Sequence, residues 1–109
     1  MAGTPVNDDP LIKQLRQQIS DTDRSLVDAF NARLRLVARL KSYKESRGID
    51  FLDPEREEWM LQYLTRANRG PLSQDGLKEL FDEILDLTKR EVQRGEQRQP
   101  PAIQPEAEA

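Results

Sequence analysis

From Leu11 to Arg47 the chain contains neither Gly nor Pro, the longest such interval in the sequence. Within it, Ile12, Leu15, Ile19, Thr22, Leu26, Ala29, Arg33, Leu36, Leu40 and Tyr43 follow one another at steps of three and four. That spacing predicts one helix with one sustained face. A second row, Val27, Phe30, Leu34 and Val37, widens the apolar face beyond a two-position seam. Asp8 or Asp9 before Pro10 provides a start, because Pro is well suited to a first helical position, and Gly48 provides a stop. A helix over 10–47 would be ~57 Å long at ~1.5 Å per residue. That exceeds the diameter of a small domain, so the face needs cover of similar length.

The rest of the chain supplies two shorter helices. Asp53 can cap the second, with Pro54 in its first turn and Glu55 and Glu57 at the positive end of its dipole. Trp59, Met60, Tyr63, Leu64 and Ala67 give it an apolar side, and NRGP at 68–71 ends it. Ser73 can cap the third helix, which carries Leu77, Leu80, Phe81, Ile84, Leu85, Thr88 and Val92 on one side. No strand pattern and no solenoid repeat is present. Of the 109 residues, 36% are hydrophobic and 34% charged, too few apolar side chains for a large private core. The expectation is an all-α fold of three helices per chain, with a very long N-terminal helix, in an intertwined two-fold homodimeric bundle. A monomeric three-helix bundle is the alternative. The expected organisation is a loose N-terminus over 1–9, a helical domain over 10–93, and a flexible Pro/Gln/Glu-rich tail over 94–109.

Composition also limits function. The net charge of −3 gives no reason to expect nucleic acid or an anionic membrane as partner. There is no Cys, which removes disulfide and thiolate chemistry. There is no His, which removes the commonest general base and the commonest metal ligand. The segment MAGTPVNDDP lacks a basic stretch followed by an apolar one, and no apolar run is long enough to span a membrane, so a cytoplasmic location is expected.

Three cations stand close to the apolar face of the long helix: Arg16, Arg33 and Lys44. An unpaired charge in a helix interface is costly, so such residues are exposed, paired or reserved for an anion. Arg33 and Lys44 are eleven residues apart, three turns, and form one line with Val37 and Leu40 between them. The line fits a small molecule with separate anionic groups and an apolar ring. Taken alone, it fits solvent-facing or salt-bridged charges better than an anion site. FLDPERE at 51–57 adds Arg56, Asp53 and Glu57 directly after the short loop that follows Lys44. Arg56 is the unexpected one, since a cation at a helix N-terminus opposes the dipole. An anion meeting the free N–H groups there would relieve the conflict.

The order LRQQISDTD at 15–23, then Arg33, KSYK at 41–44, FLDPERE, and a final helix with LFDEILDLT resembles the all-helical, type II chorismate mutases. The resemblance runs from about Leu11 to Val92 and is ungapped from Leu15 to Glu57. It implies an interlocked helical dimer with two active sites that converts chorismate to prephenate in aromatic amino-acid biosynthesis, an isomerase without cofactor. Arg33 resembles the arginine that grips the enolpyruvyl carboxylate, and Lys44 the lysine at the breaking ether oxygen and a carboxylate. Arg16 resembles the arginine that crosses into the other subunit's site. Asp53 and Glu57 stand where the family holds the ring hydroxyl, Arg56 at the matching arginine position, and Thr88 where a small hydroxyl residue helps to hold a carboxylate. Four residues on, the family places Gln or Glu against the ether oxygen. Here that position is Val92, flanked by Glu91 and Gln93.

Sister activities share such a cationic pocket: elimination of pyruvate from isochorismate, and mutase action on aminodeoxychorismate. A non-enzymatic helical dimerisation module is a different class of reading, in which the cations are salt-bridged to Asp and Glu. The resemblance also allows a complex with another shikimate-pathway enzyme.

Overall fold

The computed structural model describes residues 9–98. The expected loose segment 1–9 lies almost wholly outside them, and so do residues 99–109 of the tail expected over 94–109. Three helices follow in order: α1 (Pro10–Ser46), α2 (Pro54–Ala67) and α3 (Gln74–Arg98), with no strand among the described residues.

Each helix starts where a side-chain oxygen is available to its first N–H groups. Asp9 accepts from the backbone N–H of Leu11 at 2.8 Å and of Ile12 at 3.4 Å. Asp53 accepts from Arg56 N at 3.1 Å, with Pro54 in the first turn. Ser73 Oγ accepts from Gly76 N at 2.9 Å. The exit of α1 is equally specific. Gly48 adopts φ 69°, its N–H donates to the Glu45 carbonyl at 3.2 Å, and Ile49 N–H donates to the Lys44 carbonyl at 2.8 Å. These are the paired bonds of a Schellman ending, which needs a residue in the left-handed region.

Nothing lies within 4 Å of a Cβ built at Gly48, so a side chain there meets no steric obstacle and its cost is in the backbone alone. Gly48→Ala is therefore expected to lower the unfolding free energy by about 1 kcal/mol. Urea titration at fixed protein concentration checks this, and a neutral or stabilising result would contradict it.

The chain divides into two compact units, with the boundary between Arg35 and Leu36 inside α1. In the first unit, α1 leaves Leu11, Leu15, Ile19, Leu26 and Val27 exposed. In the second, Leu77 on α3 is 5% exposed and is the one buried hydrophobic residue among those described. In the same unit, Met60, Leu61 and Leu64 of α2 and Phe81, Ile84 and Leu85 of α3 are half-buried. Leu36, Leu40 and Tyr43, on the last turns of α1, are exposed.

Two details differ from the sequence reading. Trp59 and Tyr63, placed on the apolar side of the second helix, are about half exposed and stack on each other. The third helix continues five residues beyond 93, so 94–98 are helical and not part of a tail. Ion pairs hold this last stretch: Arg94 with Glu91 one turn back, and Glu96 with Lys41 at 2.5 Å. They offset the cost of Gly95, about 1 kcal/mol relative to Ala in a helix interior.

Candidate active site

Lys44 stands in the last turn of α1, where a cation suits the negative end of the helix dipole. Its carbonyl accepts from Ile49 N–H, and its half-buried ammonium donates to the Phe51 carbonyl at 3.4 Å. The loop 47–53 thus holds Lys44 through both ends of the residue. A bond of 3.4 Å is long, so the ammonium is positioned by it without being consumed.

Lys41, one turn earlier, addresses the same loop differently. Its ammonium bonds Glu45 at 2.7 Å and Glu96 at 2.5 Å and lies 5.9 Å from the centre of the Phe51 ring. Hydrogen bonding to Glu45, then to Glu96, raises the Lys41 pKa above the ordinary 10.5, against a smaller opposing effect of desolvation. A raised pKa stabilises the fold below the unfolded value, and the benefit is lost as pH rises through the folded one. The clamp is therefore fully formed at neutral pH. One residue thereby ties α1, the loop and α3 together, and sequence periodicity held no sign of it.

The first turn of α2 carries Asp53, Arg56 and Glu57. Asp53 Oδ1 is engaged as the helix cap. Glu57 faces Lys89 of α3 at 3.9 Å, with both side chains well exposed. Pairs of this kind contribute about 0–1 kcal/mol, so Glu57 can exchange Lys89 for a ligand at little cost. The Arg56 guanidinium lies over the Trp59 ring, 4.4 Å from its centre. Such a contact at an exposed site is worth about 0.5–1 kcal/mol. It offsets the penalty of about 0.3–1 kcal/mol for a cation at a helix N-terminus. The conflict noted in the sequence is thus relieved inside the helix itself.

On α3, Thr88 is 4% exposed and its hydroxyl donates to the Ile84 carbonyl at 2.6 Å. Val92, one turn on, is half-buried, while Gln93 is exposed. Arg16 and Arg33 are carried by α1 in the first unit, Arg16 exposed and Arg33 half-buried. Lys44, Asp53, Arg56, Glu57, Thr88 and Val92 all belong to the second unit. Among the described residues, no group of three or more carboxylate, His or Cys side chains is arranged to hold a metal ion. Nor is any helix there long and apolar enough to cross a membrane.

The last turn of α1 and the first turn of α2 therefore carry a positioned ammonium at Lys44, a guanidinium at Arg56 and an exchangeable carboxylate at Glu57. Residues 15–93 match the family model of chorismate mutase type II. The chain belongs to that family. Two solved chorismate mutase structures from Thermus thermophilus are similar to it. Form II superposes with a TM-score of 0.71 at 32% identity, covering 76% of this chain and 94% of that one. Form I gives 0.69 at 34% identity, covering 71% and 96%. The bifunctional chorismate mutase/prephenate dehydratase of Stutzerimonas stutzeri is 35% identical over 79 residues, 68% of this chain and 22% of that protein. The bifunctional enzyme of Pseudomonas aeruginosa is 35% identical over 83 residues, 72% of this chain and 23% of that one. The chain thus spans about a fifth of the length of the curated relatives it matches. The type II family match extends to residue 93 and so includes the α3 positions Thr88 and Val92.

Proposed function

We propose that this chain converts chorismate to prephenate as a homodimer, each site completed by Arg16 of the other copy. What carries the reading is the family match across residues 15–93, with a side chain of suitable charge or polarity at every site position except Val92. The reaction breaks a carbon–oxygen bond and forms a carbon–carbon bond within one molecule, and transfers no proton. It needs no nucleophile or general base from the protein. Its demands are conformational and electrostatic: the dianion must be held in a compact, chair-like shape, and charge gathering on the ether oxygen must be stabilised.

In this reading Arg33 and the partner copy's Arg16 clamp the two carboxylates. Lys44 donates to the ether oxygen as the bond stretches, an interaction stronger in the transition state than in the ground state. Asp53 and Glu57 hold the ring hydroxyl, and Glu57 leaves Lys89 to do so. Arg56 offers its guanidinium at the start of α2. The Thr88 hydroxyl turns from the Ile84 carbonyl towards a substrate carboxylate. The second copy is argued from the exposed row on α1: Leu11, Leu15, Ile19 and Leu26 are each about half exposed or more in a single chain. Burying that row contributes about 1.5–3 kcal/mol per large apolar side chain.

Val92 offers no hydrogen bond to the ether oxygen. Loss of one such donor costs on the order of 10²–10³ in rate elsewhere. Val92→Gln is expected to raise kcat by about tenfold, less than the full factor because the new amide is not preorganised. Steady-state kinetics on chorismate tests this. An unchanged or lower kcat in a folded variant would mean that Val92 does not face the ether oxygen.

A further inference from the structure

Arg56, Trp59 and Tyr63 fall at intervals of three and four residues on one side of α2 and form three layers. The guanidinium carbon is 4.4 Å from the centre of the Trp59 ring, and that ring lies 5.3 Å from the Tyr63 ring at an interplanar angle of 5°. Trp59 is 50% exposed and Tyr63 54%. Two large rings left this open are not filling a core of the chain, and the order of the layers points at the cation above them.

The physical consequence concerns how an arginine is held. An ion pair with a neighbouring carboxylate would occupy the N–H fork of the guanidinium. An aromatic face attracts the charge through its quadrupole and leaves those donors for an anionic oxygen. It also restricts a long side chain before the ligand arrives, so less freedom is lost on binding. Tyr63 in turn restricts the rotation of Trp59. We infer that Trp59, backed by Tyr63, is a positioning residue that holds Arg56 ready for an oxygen of the bound dianion. The inference rests on the proposed reading of the chain as a chorismate-converting enzyme.

The test is a mutant series read by kinetics on chorismate and by calorimetric binding of prephenate. Trp59→Leu and Tyr63→Leu are both made, so that one folded variant suffices, and Trp59→Phe is the conservative control. Trp59→Leu should raise KM and the prephenate Kd about fivefold with kcat within about twofold, the size expected of one exposed cation–π contact. Tyr63→Leu should act in the same direction but less. Trp59→Phe should recover most of the loss. On an Arg56→Ala background, Trp59→Leu should add nothing, because the two act as one unit. Trp59 is the sole tryptophan, so its emission should change on prephenate binding in the unmodified chain and change less in Arg56→Ala. An active enzyme in which Trp59→Leu matches the unmodified chain, or in which the two effects simply add, would overturn the inference alone. An unmodified chain that neither converts chorismate nor binds prephenate would overturn the functional reading and this inference with it.

Discussion

Lys44→Ala is expected to lower kcat/KM for chorismate by about 10²–10³-fold, by analogy with donors that stabilise a developing oxyanion. The loss should fall mainly on kcat, because the interaction strengthens as the ether bond breaks. Stability should change far less. The Lys44 ammonium makes one long bond to the Phe51 carbonyl, and a neutral acceptor on a half-exposed loop contributes about 1 kcal/mol or less. The Schellman bonds at the end of α1 use the Lys44 backbone and survive the substitution. Lys44→Arg separates charge from geometry. It keeps the cation but replaces a compact ammonium by a planar fork, and most of the activity should still be missing. Activity within a few-fold of the unmodified chain in Lys44→Ala would remove the proposed mechanism.

For the proposed homodimer, Leu26→Glu is expected to give monomers and thereby to abolish activity. Leu26 is 64% exposed in a single chain, and Glu is a good helix former, so α1 itself should persist. In a two-fold interface the substitution enters twice and places unpaired carboxylates in an apolar seam, at a cost of several kcal/mol each. Light scattering coupled to gel filtration reads the assembly, and circular dichroism the helix content. A mixing experiment then isolates the role of Arg16. Arg16→Ala chains and Lys44→Ala chains should each be nearly inactive, yet exchange of subunits should restore activity, because a mixed dimer contains one site with both residues intact. No recovery on exchange, between chains that demonstrably form mixed dimers, would place Arg16 within its own subunit's site or outside any site.

Much of the fold is legible locally. The start and end of each helix depend on single residues whose chemistry is visible in a sequence: an oxygen at Asp9, Asp53 or Ser73, and a left-handed residue at Gly48. The span of α1 follows from the absence of Gly and Pro over the interval it occupies. The end of α3 was not legible, because Glu96 is held by a lysine fifty-five positions away and no local pattern encodes such a partner. Residues 95–98 are polar enough to read as part of a tail, and the Glu96–Lys41 pairing overrides that composition. Trp59 and Tyr63 fit an apolar helical face by position, and only the structure shows Arg56 stacked on Trp59 and Trp59 on Tyr63. At the candidate site, the residue types and their order were readable from Lys44 to Thr88. The loop carbonyl of Phe51, the counter-charge of Lys89 and the clamp of Lys41 were not, since each depends on how separate elements meet.

The central claim is tested most directly by adding the purified chain to chorismate and following the loss of chorismate absorbance, with the product identified by chromatography. The account predicts first-order conversion to prephenate at a rate proportional to enzyme, with no added metal or cofactor. A folded protein that leaves chorismate unchanged, or that yields pyruvate and a benzoate instead of prephenate, would contradict it.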